Sequence, residues 1–164
     1  MTGLSDYRRA RPPRSTQVIP SAAKWLGGTG ALPFALAAAA IWLGSEPVSA
    51  FAASAIVIYA AVILSFLGGL AWGATCAATV DARWTPEHGR LLVASVVPAL
   101  AGWGMALLPA SLGLTLMALC FVAVLMIDRR LAALGMVPPW WMKLRLRLSL
   151  TVAALLFIAA FGAG

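Results

Sequence analysis

Charge is what this 164-residue sequence has least of: Asp, Glu, Lys and Arg make up 10% of it, against 62% apolar residues. A soluble domain carries about a quarter charged residues, and a chain this poor in them cannot cover its own surface with polar groups. None of the charges falls between Pro47 and Val80 or between Leu91 and Ile127. Proton relays, ion pathways and voltage sensors need ionisable groups at membrane depth, so these empty stretches argue against a pump or a coupled transporter. Histidine occurs once, at His88, without Cys or His neighbours that would make a metal-ligand spacing. It reads as a solvated loop residue. The two cysteines, Cys76 and Cys120, sit inside apolar runs and read as small buried hydrophobes rather than as a disulfide framework. HExxH, GxSxG, P-loop and paired-carboxylate motifs are absent. Catalytic residues, metal ligands and a resident cofactor are therefore not expected, and an enzyme is the less favoured reading.

What the chain does have is long apolar runs and a mean hydropathy of +0.94. In hydrocarbon every backbone polar group must be paired within the protein, which leaves helices or closed barrels. The alternating pattern of a barrel strand is nowhere visible. The fold class is accordingly all-α: a polytopic membrane bundle of about five transmembrane helices, at roughly 25–44, 51–78, 91–108, 111–127 and 140–162, behind a disordered basic tail over residues 1–24. The turn that divides the third run from the fourth is Leu108-Pro109-Ala110-Ser111. The uncharged second run exceeds the roughly 20 residues that a span needs, so that helix tilts or projects. The tail, the first run and Val48-Ser49-Ala50 together mimic a cleavable signal, but about 20 apolar residues is long for a signal core.

The net charge of +7 does not point to nucleic acid, because its basic residues only flank apolar runs. Arg8, Arg9, Arg11, Arg14 and Lys24 precede the first helix, Arg83 and Arg90 lie in the second loop, and Arg129, Arg130, Lys143, Arg145 and Arg147 lie around the fourth. Those are all 12. With five spans the three segments share one side, and the opposite connections carry only Glu46. The positive-inside rule then places the N-terminus in and the C-terminus out. A bacterial inner membrane is expected, in preference to the mitochondrial one. Trp25, Trp84, Trp140 and Trp141 fall at the inner interface and Trp42 at the outer, leaving Trp72 and Trp103 least explained by anchoring.

Three features could carry function. Ser65, Gly69 and Gly73 recur every four residues and make one small-residue face, flanked by Trp72 and Cys76, on which another helix can approach closely. That face is a packing seam of the monomer, a seam for a partner helix, or the wall of a ligand groove. Pro33 and Pro98 lie in mid-helix, where the missing donor tends to kink the chain and can open a pocket. Pro138-Pro139-Trp140-Trp141 followed by Lys143, Arg145 and Arg147 starts the last helix with indoles and a basic cluster. That cluster either anchors the helix or, through the planar fork of Arg145, holds an anionic head group. Asp128 is the one acid near it and can pair with it.

At these residues the chain resembles a known family. Tyr59 to Gly73, YAAVILSFLGGLAWG, is similar to the YGAVILSFLGG…WG signature of the transmembrane protein 69 family, also described as domain of unknown function 3429. Pro139-Trp140-Trp141 with Leu144-Arg145 and Leu150-Thr151 resembles its PxWY…LR…LT signature. Leu26-Gly27 to Pro33-Phe34, and Val96-Val97-Pro98 with Trp103, fit the same pattern, which covers roughly residues 25–155. The family's members are small bacterial and mitochondrial membrane proteins without a known activity. The signature often has a histidine before its tryptophan, where this chain has Ala71, so a metal or haem role for that position does not carry over.

The expected function is that of a non-enzymatic small membrane protein, a helix-packing partner or assembly factor of a larger complex reached through helix two. The alternative is a binder of a quinone, tetrapyrrole or lipid in a groove between helices two, three and five. A membrane enzyme is a second alternative. Tyr59, Ser65, Gly69, Trp72, Gly73, Trp103, Asp128, Trp140 and Arg145 are the candidate site residues, and the bilayer with its anionic head groups is the expected environment.

Overall fold

The computed structural model describes residues 18–79 and 83–164, which form helices, turns and no strand. The expectations for the tail up to residue 17, and the loop position Asp81, lie outside the described residues. In chain order the helices are α1 (Ser21–Leu43), α2 (Glu46–Thr79), α3 (Pro86–Ala106), α4 (Ala110–Ala123), α5 (Leu125–Ala133) and α6 (Trp141–Gly162). Val124 keeps helical dihedrals between α4 and α5, and its carbonyl accepts from both Ile127 and Asp128. The two therefore run on as one span, and five spans are long and apolar enough to cross a membrane.

Several bounds move from those expected, each for a local reason. α1 takes in Ser21 to Lys24, starting directly after Pro20, whose carbonyl accepts from Lys24. α3 starts five residues before Leu91, because Thr85 and Pro86 supply an N-cap and a first-turn proline. His88, read from sequence as a loop residue, belongs to that first turn. Its Nδ1 accepts the Thr85 backbone N–H at 3.1 Å, so the imidazole caps a helix end. The fourth span runs past Ile127 to Ala133 and stops at Gly135, whose φ of 69° only glycine adopts freely. There Met136 N–H reaches back to the Leu131 carbonyl, closing the helix by the six-to-one bond of a Schellman turn. The 34 residues of α2 make a rod of about 51 Å, well beyond about 30 Å of hydrocarbon.

Neighbours in sequence are neighbours in space, and the last span packs back on the first, so the five spans form a ring with α4 touching α2 across it. Trp42 Nε1 donates to the Ile158 carbonyl at 2.9 Å near the ends of α1 and α6, while Gly27 meets Leu148 near their starts. α1 and α6 thus run parallel. The core lies where the ring closes: Phe34, Ile56, Leu64, Leu114, Met117, Phe121 and Leu156 are essentially inaccessible. Leu36, Ile58, Leu100 and Phe161 point outward and stay exposed, as lipid-facing side chains do.

Close backbone approach occurs on α2, one residue away from the stripe read off the sequence. A Cβ on Gly68 would run into the Ser95 carbonyl of α3. On the other side of the same contact, a Cβ on Gly102 would lie 3.2 Å from Ala61 Cα. Ala60, Leu64, Gly68, Ala71 and Thr75 form the buried row. Ser65, Gly69 and Gly73 are exposed, and a Cβ on either glycine meets nothing within 4 Å. The stripe is therefore not a seam within the monomer. Cys76, expected to be buried, is exposed beside it, and Cys120 is half-buried.

Candidate functional site

Three residues near the start of α6 and the end of the fourth span meet in an ion-pair cluster. The helical row Trp141, Arg145, Ser149 advances by one turn per step, so all three side chains share a face, and α5 brings Asp128 opposite them. Arg145 Nε donates to Asp128 Oδ2 at 2.9 Å and Trp141 Nε1 donates to Oδ1 at 2.8 Å. Both carboxylate oxygens are thus engaged. Asp128 is 5% and Arg145 7% exposed, so the pair has almost no accessible surface. A buried pair of this kind is held by its geometry, and losing one partner strands a charge at a cost of about 3–5 kcal/mol.

The cluster is incomplete on its inner side. Arg145 Nη2 and Ser149 Oγ are buried without a hydrogen-bond partner among the described residues. Serine in a helix commonly bonds back to the carbonyl four residues earlier, as Ser54 and Ser65 do here. Ser149 does not. An unsatisfied buried polar group costs about 1–3 kcal/mol, so two side by side call for an explanation.

Both residues line a cavity of about 300 Å³ bounded by α1, α2, α4 and α6. Gly27 and Gly30 hollow out its α1 wall, and Phe34 and Phe121 close its inner end, packed edge to face at 5.9 Å. Leu26 and Phe66 also line it, yet each is mostly exposed on the lipid-facing surface. The cavity therefore opens sideways, between α1 and α2. From Trp141 to Val152 it follows α6 for twelve residues, a rise of about 16 Å from first to last. Its chemistry is that of an amphiphile turned inside out: apolar throughout, with two hydrogen-bonding groups towards the end that carries the basic residues.

A family model described as "Protein of unknown function (DUF3429)" matches residues 19–161, from just before α1 almost to the end of α6. The chain belongs to the DUF3429 family. Among curated proteins and among solved structures nothing matches.

In this DUF3429 chain the structure gathers some of the candidate residues and scatters others. Asp128 and Arg145 meet directly. Trp140 stacks obliquely on Trp141, 6.1 Å between centroids, so it is Trp141 that touches the carboxylate and Trp140 that supports it. Tyr59 does not line the cavity but touches two residues that do, with its ring on Phe34 and its hydroxyl donating to the Gly30 carbonyl at 3.1 Å. Trp72 and Trp103 are 46% and 66% exposed and line nothing of it, nor do Ser65, Gly69 and Gly73. The groove expected between helices two, three and five is instead walled by the first, second, fourth and fifth spans. Ser149, Gly27 and Gly30 were missed. The four-residue spacing from Trp141 through Arg145 to Ser149 was the available signal for the first.

Proposed function

We propose that this protein binds an amphiphilic molecule from the bilayer in the lateral cavity between α1 and α2, without catalysing a reaction on it. The observation that carries this reading is an otherwise apolar cavity lined by Arg145 and Ser149, the two residues whose buried Nη2 and Oγ have no hydrogen-bond partner among the described residues. Pockets for small molecules are largely apolar with a few placed polar groups, and about 300 Å³ is at the lower end of their range. A quinone, a tetrapyrrole or a lipid is the chemistry in question, and the volume favours a single chain or ring over a large macrocycle. The proposed setting is the bacterial inner membrane with the N-terminus in; that orientation is supported by the described basic residues Lys24, Arg83, Arg90, Arg129, Arg130, Lys143, Arg145 and Arg147, which all belong to one end of the bundle.

Gly30 offers the test, because it lines the cavity and a Cβ there meets nothing within 4 Å. Gly30→Phe adds a ring to that wall at a position where a Cβ is accommodated, and Gly28→Phe, equally open at its Cβ but outside the cavity lining, is the control. Native mass spectrometry of gently solubilised protein is expected to find a stoichiometric amphiphile on the wild type and on Gly28→Phe, and none on Gly30→Phe. A wild type without bound mass, or a Gly30→Phe protein that keeps it, removes this reading.

The outward stripe of Ser65, Gly69 and Gly73 supports a second one, the helix-packing partner or assembly factor, because a second helix could lie against it without rearrangement. Gly69→Leu would then abolish co-migration with a larger complex on native gels while leaving the monomer's melting temperature unchanged.

A further inference from the structure

Resting on the cavity reading above, we infer that the occupant is an electrically neutral molecule whose head offers carbonyl oxygens, rather than a phosphate or carboxylate amphiphile. The Arg145 guanidinium is not a free positive charge. Asp128 lies 2.9 Å from its Nε, and with Trp141 on the other oxygen the carboxylate is held in place to neutralise it. Arg145 and, one turn on, Ser149 both line the cavity, and the polar atoms they have left for an occupant settling against them are Nη2 and the Ser149 hydroxyl, which no group among the described residues engages. Among the described residues no second cation lines the cavity. Arg129, Arg130 and Arg147 are exposed on the outside of the bundle, where anionic head groups of the bilayer surface can reach them without entering it.

An anionic head placed against this wall would add a net negative charge to a site whose own charges cancel, and burying an uncompensated charge is unfavourable. A carbonyl oxygen satisfies the donors and leaves the charge balance as it is. The aromatic rings of Phe34 and Phe121 further in, and of Phe66 at the opening, suit an apolar body. Two sources present this chemistry in a membrane: the ring of a prenylated quinone and the ester carbonyls of a diacylglycerol.

The test is competitive binding to the full chain in neutral detergent, followed by native mass spectrometry. The three probes have short chains of comparable length: a prenylated benzoquinone, dioctanoylglycerol and dioctanoyl phosphatidic acid. At least one neutral probe is expected to bind the wild type about tenfold or more tighter than phosphatidic acid does; which of the two does so names the source. Ser149→Ala is expected to weaken that probe roughly fivefold, the loss of one hydrogen bond, and to leave phosphatidic acid unchanged. Asp128→Asn uncovers the guanidinium charge and is expected to move the preference towards phosphatidic acid. If Asp128→Asn does not fold, the wild-type ranking still decides. Phosphatidic acid binding the wild type as tightly as the neutral probes, but not Gly30→Phe, overturns the neutral head while leaving the cavity as the site. Should no probe prefer the wild type to Gly30→Phe, the cavity reading itself falls.

Discussion

Asp128 holds two donors from α6 at once, so its loss acts on both. In Asp128→Ala the Arg145 guanidinium stays buried at 7% exposure without its counter-charge, and Trp141 Nε1 loses its acceptor. The expected destabilisation is about 3–5 kcal/mol, read as a large drop in melting temperature in detergent. Arg147→Ala, on the exposed side of the same helix, is expected to change stability by less than about 0.5 kcal/mol. Arg145→Lys keeps the charge but gives up the planar fork. It is expected to retain part of the stability and to lose the bound amphiphile, a split that thermal unfolding and native mass spectrometry read separately. That Asp128 would face the basic cluster was legible in the sequence, since it is the one acid nearby. That Trp141 rather than Trp140 would complete the pair was not. Adjacent residues on a helix point about 100° apart, and only the place where α5 ends decides which of the two indoles faces it.

On α2 two small-residue rows run side by side, and they do opposite things. Gly68 lies against the Ser95 carbonyl, next to the buried Pro98 of α3, and leucine there would have to push the two backbones apart. Gly68→Leu is expected to destabilise the isolated protein by at least the roughly 1–3 kcal/mol of an overpacked core. Gly69→Leu, in open space one residue along, is expected to leave the melting temperature within experimental error. A matched fall for both variants would contradict this placement of α2. The sequence displayed the Ser65, Gly69, Gly73 stripe clearly but could not say whether protein or lipid covers it. In water the apolar face of a helix is the buried one; in a bilayer both faces are apolar, so hydropathy no longer separates inside from outside. Helix ends suffer less from this. Pro86 after Thr85, and Gly135, set local backbone geometry whatever the surroundings.

At the scale of the molecule, an odd number of spans sets the two ends of the chain on opposite sides. Reporter fusions at Glu46, Pro109 and Gly164 are expected to read as external, and at Lys24, Glu87 and Gly135 as internal; an internal Gly164 would require an even number of spans. The number of spans and their order along the chain follow from apolar run length alone, because the hydrocarbon admits only paired backbone and a span needs about 20 residues. So does the gathering of the basic residues at one end, once the spans alternate in direction. The ring closure of α6 on α1 is a different matter. It depends on Gly27 admitting Leu148 and on Trp42 reaching the Ile158 carbonyl, contacts between residues more than 100 positions apart that no local pattern encodes. The cavity belongs to the same level. Gly30, Phe66, Phe121 and Ser149 come from four helices and border one space only after the ring has closed, so tertiary packing alone decided that the two residues with unsatisfied polar groups would line it.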